Sequence, residues 1–78
     1  MVKVYSITNC PWCDKLKKYL KSKGVDYEEH NIETNEDDLK ECIRLTNDEA
    51  VPVTTVDGKN YVLGFDKAKI DELLGIAS

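Results

Sequence analysis

The feature that most constrains the fold is a strand pattern that runs into an amphipathic helix and then into a second strand pattern. Residues 1–7 alternate apolar and polar side chains, as a strand does when its two faces meet different surroundings. Apolar residues then recur at helical spacing from Cys13 to Leu20, and Gly24 is suited to end that helix in the left-handed conformation. Residues 25–32 form a weaker strand pattern. A β-α-β start requires parallel strands joined by a right-handed crossover.

A second helix is predicted in the middle of the chain. Residues 34–38 supply N-cap candidates and acidic side chains for a first helical turn, where the helix dipole favours negative charge. Apolar positions from Leu39 to Thr46 then mark one face of this helix. Residues 47–49 are predicted to form a loop.

A hairpin and a last helix are predicted to complete the chain. Asp57-Gly58 between the β-rich segments 51–56 and 61–63 is a strong hairpin signal. Asp66 is suited to cap the last helix. The predicted order is therefore β-α-β-α-β-β-α. This order predicts one α/β domain over residues 1–78, with a mixed four-stranded sheet and three helices packed on it.

Length and charge exclude several classes of protein. The chain has 78 residues, with 11 basic and 15 acidic side chains and a net charge of −4. A nucleic-acid binder would need basic residues arrayed to neutralise phosphates, so we expect no nucleic-acid partner. No apolar run approaches the ~20 residues of a membrane span, and none resembles a signal peptide, so we expect no membrane association. Three cysteines do not make an extracellular disulfide framework, which favours the reducing cytoplasm.

Cys10 and Cys13 carry the strongest functional signal. Two residues separate them, which permits a disulfide across the turn that begins the first helix. Cys10 lies near the predicted N-cap, where unpaired N–H groups and the helix dipole favour a thiolate, the reactive form of cysteine. Cys13 lies one turn further along, on the apolar face, and should be less exposed. We therefore predict that Cys10 attacks a target disulfide and that Cys13 resolves the mixed disulfide.

A zinc site is the alternative interpretation of this cysteine pair. Such a site would need a second pair of ligands. Cys42 and His30 are the remaining candidates, and they lie in different predicted elements without the paired spacing. Cys42 also has the periodicity of a core position, which favours a buried, inert thiol. We therefore predict no metal site and no tightly bound cofactor.

Three motifs, in order along the chain, resemble those of the glutaredoxin family. Cys10-Pro11-Trp12-Cys13 after a short first strand is similar to the family's active-site motif, in which C-P-Y-C is common. Val51-Pro52 and Gly64-Phe65-Asp66 match the next two family landmarks, and the similarity spans essentially the whole chain. The resemblance implies the thioredoxin-like (glutaredoxin) fold. It also implies a thiol–disulfide oxidoreductase that reduces protein disulfides or glutathione mixed disulfides through the C-P-W-C dithiol.

The resemblance implies that Pro11, Trp12, Val51 and Pro52 lie in the substrate or glutathione site. In the family, the proline that matches Pro52 is cis and faces the cysteine pair, and the residue before it pairs its backbone with the substrate. The edge of a β-sheet beside a reactive sulfur can hold an extended peptide by main-chain hydrogen bonds. Sequence pattern alone favours a trans proline that starts an edge strand, because only about 5–6% of X–Pro bonds in folded proteins are cis. The resemblance reverses that preference.

The same resemblance assigns Gly64, Phe65 and Asp66 to glutathione binding. The family usually has Gly-Gly followed by an acidic residue that, with a helix N-terminus, helps to hold glutathione. In this chain Leu63 replaces the first glycine, and Ile7 stands where a lysine commonly contacts glutathione. These departures concern the glutathione site and leave the disulfide chemistry intact.

The electron source is left open between glutathione and thioredoxin reductase. NrdH-type redoxins resemble glutaredoxins but take electrons from thioredoxin reductase and supply ribonucleotide reductase, and Gly64-Phe65 is similar to a Gly-Phe pair that they carry. Asp66 fits the glutaredoxin pattern better, so we expect measurable coupling to glutathione as co-substrate. An iron–sulfur carrier that uses the thiol matching Cys10 is a third alternative, from a different class. We expect a monomer whose partners are disulfide-containing proteins and one of the two reductants.

Trp12, the lysines of the first helix and an acidic band are expected to lie at least partly on the surface, whereas Tyr5 and Tyr61 are expected to be packing residues. Trp12 should be partly exposed beside Cys10, because an indole keeps a polar N–H. The lysines within residues 15–23 are expected to form a solvated helix face. Residues 28–41 hold seven carboxylates against Lys40 alone, and this solvated band could steer a basic partner.

Overall fold

The computed structural model describes residues 2–48 and 50–76. Met1, which we assigned to the first strand, and Glu49, which we assigned to a loop, lie outside these residues. The predicted order β-α-β-α-β-β-α is confirmed. The elements are β1 (Val2–Ser6), α1 (Pro11–Ser22), β2 (Tyr27–Asn31), α2 (Glu36–Thr46), β3 (Val53–Thr55), β4 (Tyr61–Leu63) and α3 (Lys67–Leu74).

The four strands form one mixed sheet in the order β2-β1-β3-β4. β1 pairs in parallel with β2, and Val4 lies opposite Glu29. On its other side β1 pairs antiparallel with β3, and β3 pairs antiparallel with β4. The parallel pair is the one joined through α1, as the β-α-β pattern predicted.

The helices divide between the two faces of the sheet, each face with its own buried cluster. On one face, α1 and α3 pack against the sheet, and α2 packs on the other. The α1/α3 cluster consists of Val4, Leu16, Leu20, Val62 and Ile70. The α2 cluster consists of Tyr5, Ile32, Cys42 and Val53. Successive side chains of a strand point to opposite faces of the sheet, so Val4 and Tyr5 of β1 contribute to different clusters.

The helices begin and end at the predicted residues. The Asn35 side chain accepts hydrogen bonds from the N–H groups of Asp37 and Asp38, at 3.0 and 3.2 Å, and so caps α2. Asp66 caps α3 by accepting from the Lys69 N–H at 3.2 Å. Gly24, just after α1, has a φ of +70°, the left-handed conformation that was expected to stop the helix.

β1, β2 and β3 are shorter than predicted, since Ile7, Ile32 and Val56 lie outside them. Backbone hydrogen bonding explains why β2 and β3 begin later than predicted. The N–H of Val25 donates to the carbonyl of Leu20 at 2.9 Å, so it closes the end of α1 and β2 begins only at Tyr27. Pro52 has no N–H to donate to a strand ladder, and β3 begins after it, at Val53. Within the described residues, no helix combines the length and apolar character needed to cross a bilayer.

Candidate functional site

A tight turn connects the end of β1 with Cys10, at the start of α1. Asn9 has a φ of 58°, and asparagine is one of the few non-glycine residues that adopt this left-handed conformation readily. The preceding residue, Thr8, accepts a hydrogen bond through Oγ1 from the side-chain amide of Asn31 at 3.2 Å. The turn is therefore braced by the last residue of β2, and Cys10 follows it directly.

Cys10 is the N-cap residue of α1. Its backbone is extended, with φ −106° and ψ 103°, and Pro11 occupies the first helical position, where a missing N–H costs nothing. The Cys10 carbonyl accepts the first intrahelical bond from the Asp14 N–H at 3.0 Å. The Cys10 Sγ accepts a hydrogen bond from the Cys13 N–H at 3.1 Å. This geometry favours negative charge on the Cys10 sulfur once the pair is reduced, because a donor and the positive end of the helix both face it.

Cys10 and Cys13 are joined by a disulfide, with their Cα atoms 5.2 Å apart. Cys10 is 9% exposed and Cys13 is 1% exposed. The prediction that Cys13 is the less accessible of the two is confirmed. Cys10 is therefore the more accessible residue of the pair, and the order of attack remains a prediction.

A groove beside the cysteine pair brings together residues from all three sequence motifs. Its volume is about 310 Å³, and its lining consists of Trp12, Val51, Pro52, Gly64 and Phe65. The Val51–Pro52 peptide bond is cis, as the family resemblance implied. The Gly64 N–H donates a hydrogen bond to the Pro52 carbonyl at 2.8 Å, which fixes the second and third motifs against each other. We refer to these five residues as the active-site groove.

Trp12 and Asp66 differ in their position relative to this groove. Trp12 is 57% exposed, as expected, and the Nζ of Lys15 lies 4.4 Å from the centre of its ring. Asp66 does not line the active-site groove, because its carboxylate turns back to cap α3. Asp66 is only partly buried, and its cap hydrogen bond uses one of the two carboxylate oxygens, Oδ1.

A second cavity, which the sequence analysis did not anticipate, adjoins the active-site groove. It has a volume of about 320 Å³ and is lined by Lys15, Lys18, Tyr19, Ser22, Phe65 and Lys67. We call it the lysine cleft. Lysines at 15 and 18 had been assigned to a solvated face, and their spacing does place them on one side of α1. Lys67 comes from a different helix, so no local sequence signal connected it with them.

Cys42 is a buried free thiol in the α2 cluster. Burial raises the pKa of this thiol, which disfavours the reactive thiolate. This confirms the expected position of Cys42 in the core. Among residues 2–48 and 50–76, no group of three histidine, cysteine or acidic side chains is arranged to hold a metal ion.

An ion pair connects α1 with β2. Lys17 Nζ lies 2.8 Å from Glu29 Oε2, and the Ser6 hydroxyl donates to the same oxygen at 2.8 Å. The hydrogen bonds from Lys17 and then Ser6 lower the pKa of Glu29, and the bond to Glu29 raises the pKa of Lys17. These contacts engage Lys17 within the protein, unlike the lysines of the cleft.

Known proteins with similar sequences and structures agree on the family. A model of the family described as Glutaredoxin matches residues 2–62. An uncharacterized glutaredoxin-like 8.6 kDa protein in the rubredoxin operon of Clostridium pasteurianum is 43% identical over 74 residues, which cover 95% of this chain and 97% of that protein.

Solved structures agree on the fold. A variant of the thioredoxin-like protein BC3987 superposes with a TM-score of 0.88 at 29% identity, covering 97% of this chain and 96% of that one. The glutaredoxin grx-1 from Archaeoglobus fulgidus gives a TM-score of 0.80 at 31% identity, covering 94% of this chain and 84% of that one. The predicted thioredoxin-like fold is confirmed. With its cysteine pair at the start of α1 and a family match over most of its length, the chain belongs to the glutaredoxin family.

Proposed function

We propose that this protein is a thiol–disulfide oxidoreductase that reduces protein disulfides or glutathione mixed disulfides through Cys10 and Cys13. The observation that carries this proposal is the hydrogen bond from the Cys13 N–H to the Cys10 Sγ at the N-terminus of α1. It supports a reduced state in which Cys10 is a thiolate and Cys13 remains close enough to form a disulfide with it.

The reaction consists of two thiol–disulfide exchanges. The Cys10 thiolate attacks one sulfur of the target disulfide, the target S–S bond breaks, and the other target sulfur leaves as a thiolate that takes up a proton. Cys13 then loses its proton and attacks the Cys10 sulfur, so that the second target sulfur leaves in the same way. Two electrons and two protons pass to the target, and Cys10 and Cys13 end as the disulfide.

The active-site groove is the proposed binding site for the target. Val51, which precedes the cis proline Pro52, would pair its main chain with an extended segment of the target. The exposed Trp12 and the partly buried Phe65 would supply apolar contacts around that segment. Gly64 would allow the substrate backbone to approach closely, because it has no side chain. Asp66 and the N-terminus of α3 would take part when the ligand is glutathione.

Glutathione is the first candidate for the electron source, because Gly64 and Asp66 are retained. A second candidate is thioredoxin reductase, as for an NrdH-type donor to ribonucleotide reductase. The observation in favour of the second is that Leu63, which is 47% exposed, stands where a close backbone approach to glutathione would use a glycine. We place the reaction in the cytoplasm, where thiols are kept reduced.

The experiment that tests the activity supplies the oxidised protein with each reductant in turn and follows its conversion to the dithiol. The two arms are glutathione, and NADPH with thioredoxin reductase. We expect reduction by glutathione. If glutathione is without effect and the reductase acts rapidly, the second candidate is correct. If neither arm nor a chemical dithiol yields a protein that reduces a mixed disulfide, the proposed activity is wrong.

A further inference from the structure

The lysine cleft lies next to the active-site groove, and its lining comes from α1, Phe65 and the start of α3. Phe65 lines both cavities, and Lys15, which lies over the Trp12 ring, connects the other side of the groove with the cleft. A chain that leaves the groove past Phe65 therefore enters a concave surface bordered by three ammonium groups. Among the residues that the structure describes, none with a carboxylate side chain lines either cavity.

The three cleft lysines have no ion-pair partner among residues 2–48 and 50–76. Within the described part of the chain, Lys15, Lys18 and Lys67 form no ion pair, whereas Lys17 on the same helix pairs with Asp14 and Glu29. Asp14 and Glu29, which line a neighbouring cavity together with Lys18, are paired with Lys17. Two acidic side chains at α3 are also engaged. Asp66 caps α3, and Asp71 is buried and accepts a hydrogen bond from the Tyr19 hydroxyl.

Aromatic rings hold two of these ammonium groups at the border of the cleft. Besides Lys15 over Trp12, the Nζ of Lys67 lies 5.6 Å from the Tyr19 ring and 5.9 Å from the Phe65 ring. The Tyr19 and Phe65 rings meet edge to face, with their centres 5.8 Å apart. Such contacts restrict the lysine side chains, so less conformational entropy is lost when an anion binds.

We propose that the lysine cleft binds an acidic peptide segment that lies next to the target cysteine in the substrate's sequence. This inference rests on the proposed function, because it needs the target disulfide to lie in the active-site groove. An acidic segment complements the charge of the cleft and connects covalently with the part of the substrate in the groove. A nucleic acid fits less well, because the chain carries a net charge of −4 and the opposite face holds the acidic α2.

The test uses single-turnover reduction of short peptide disulfides by the pre-reduced protein. Trp12 is the single tryptophan of the chain and lies between the two cysteines, so its fluorescence can follow their oxidation. The peptides carry the same cysteine disulfide flanked on one side by glutamates, glutamines or lysines, with the flank placed before or after the cysteine. Each second-order rate constant is measured at low and high salt.

At low salt we expect the glutamate peptide, in one of the two orientations, to react about fivefold faster than the glutamine peptide, and the lysine peptide to react more slowly. The ratio of the rate constants for the glutamate and glutamine peptides should fall below about twofold in roughly 0.5 M salt, because salt screens the charges of exposed lysines. Equal rates for glutamate and glutamine peptides in both orientations would overturn the proposal.

Variants of the cleft separate its role from general charge attraction. The double variant K18Q/K67Q should lose the preference for the glutamate peptide, and K18E/K67E should prefer the lysine peptide. The matched control K40Q/K59Q removes the same charge from α2 and the hairpin and should keep the preference. If K40Q/K59Q loses as much of the preference for the glutamate peptide as K18Q/K67Q does, the assignment to an acidic peptide is wrong. It is also wrong if a single-stranded oligonucleotide binds the cleft more tightly than the glutamate peptide does.

The glutamine peptide distinguishes failure of this inference from failure of the proposed function. If the protein reduces the glutamine peptide but shows no charge preference, the cleft proposal fails and the oxidoreductase proposal stands. If the pre-reduced protein reduces none of the peptides, the oxidoreductase proposal fails, and the cleft proposal fails with it.

Discussion

The Cys13 N–H donates a hydrogen bond to the Cys10 Sγ over 3.1 Å. The same backbone geometry that lets Cys10 cap α1 therefore places a donor on its sulfur, and the sulfur takes the part that an aspartate or serine oxygen plays at other N-termini. An anionic sulfur strengthens such a bond, because charge-assisted hydrogen bonds are stronger than neutral ones. The helix and the nucleophile thus depend on one local structure.

Replacing each cysteine should have different consequences. Cys10→Ser should abolish reduction of a mixed disulfide, because it removes the attacking sulfur. Cys13→Ser should form a mixed disulfide with the target and hold it, because the resolving thiol is missing. Mass spectrometry of the trapped species and a turnover assay measure the two effects. Full activity in Cys10→Ser would show that the nucleophile is assigned incorrectly.

Asp66 should have separable roles in stability and in glutathione binding. Asp66→Ala should lower the free energy of unfolding by about 1 kcal/mol, because α3 loses its N-cap. Asp66→Asn should keep most of that stability, because asparagine is also a good N-cap, while weakening the use of glutathione through the loss of charge.

Urea unfolding and the rate of reduction by glutathione measure these effects for the two Asp66 variants. If Asp66→Asn reacts with glutathione as fast as the wild type does, the carboxylate serves only as a cap.

The fold could be predicted from the sequence because its signals are local. Asn35 and Asp66 mark helix starts by their own side chains, and Gly24 marks a helix end by its own backbone freedom. The strand ends were less predictable. Val25 looks like a strand residue, but its N–H is used by the carbonyl of Leu20 at the end of α1, which is a matter of hydrogen-bond competition rather than of residue type.

The site could be predicted only in part, for a similar reason. Cys10 and Cys13 are close in sequence, and the family resemblance supplied Pro52 and Gly64. The lysine cleft joins Lys15 and Lys18 on α1 with Lys67 on α3, and this contact exists only because both helices pack on the same face of the sheet. Sequence periodicity records which side of one helix is polar, but not which other helix lies beside it.

The pair of Glu29 and Lys17 should make stability depend on pH in a defined direction. The pKa of Glu29 is lowered from its ordinary value of 4.5 by hydrogen bonds from Lys17 and Ser6. The stabilisation is therefore present above the unfolded-state pKa and is lost as the pH falls through the folded-state pKa.

Glu29→Gln should lower the free energy of unfolding at neutral pH by less than about 1 kcal/mol, because the pair is partly exposed. Glu33→Gln, the same change at an exposed glutamate, should have little effect. Urea unfolding at neutral and acid pH measures the difference from wild type, which should shrink in acid for Glu29→Gln. A difference that is equal at both pH values would contradict the charge-based explanation.

Cys42 should be inert in the folded protein. Burial in the α2 cluster raises the pKa of the thiol and keeps reagents away from it. Alkylation of Cys42 in the native protein should be about a thousandfold slower than in urea, because it requires the fold to open. Mass mapping of the alkylated cysteines in native and unfolded samples provides the measurement. Rapid native labelling of Cys42 would show that α2 does not seal this cluster.

The most direct test is a pH titration of the thiolate absorbance of the reduced protein, with Cys10→Ser as the control. We expect the Cys10 sulfur to ionise with a pKa below neutrality, compared with about 8.5 for an ordinary cysteine, because the N-terminus of α1 and the Cys13 N–H stabilise its charge. This transition should disappear in Cys10→Ser. A transition at or above the ordinary value, or one that survives in Cys10→Ser, would contradict the assignment of Cys10 as the activated nucleophile.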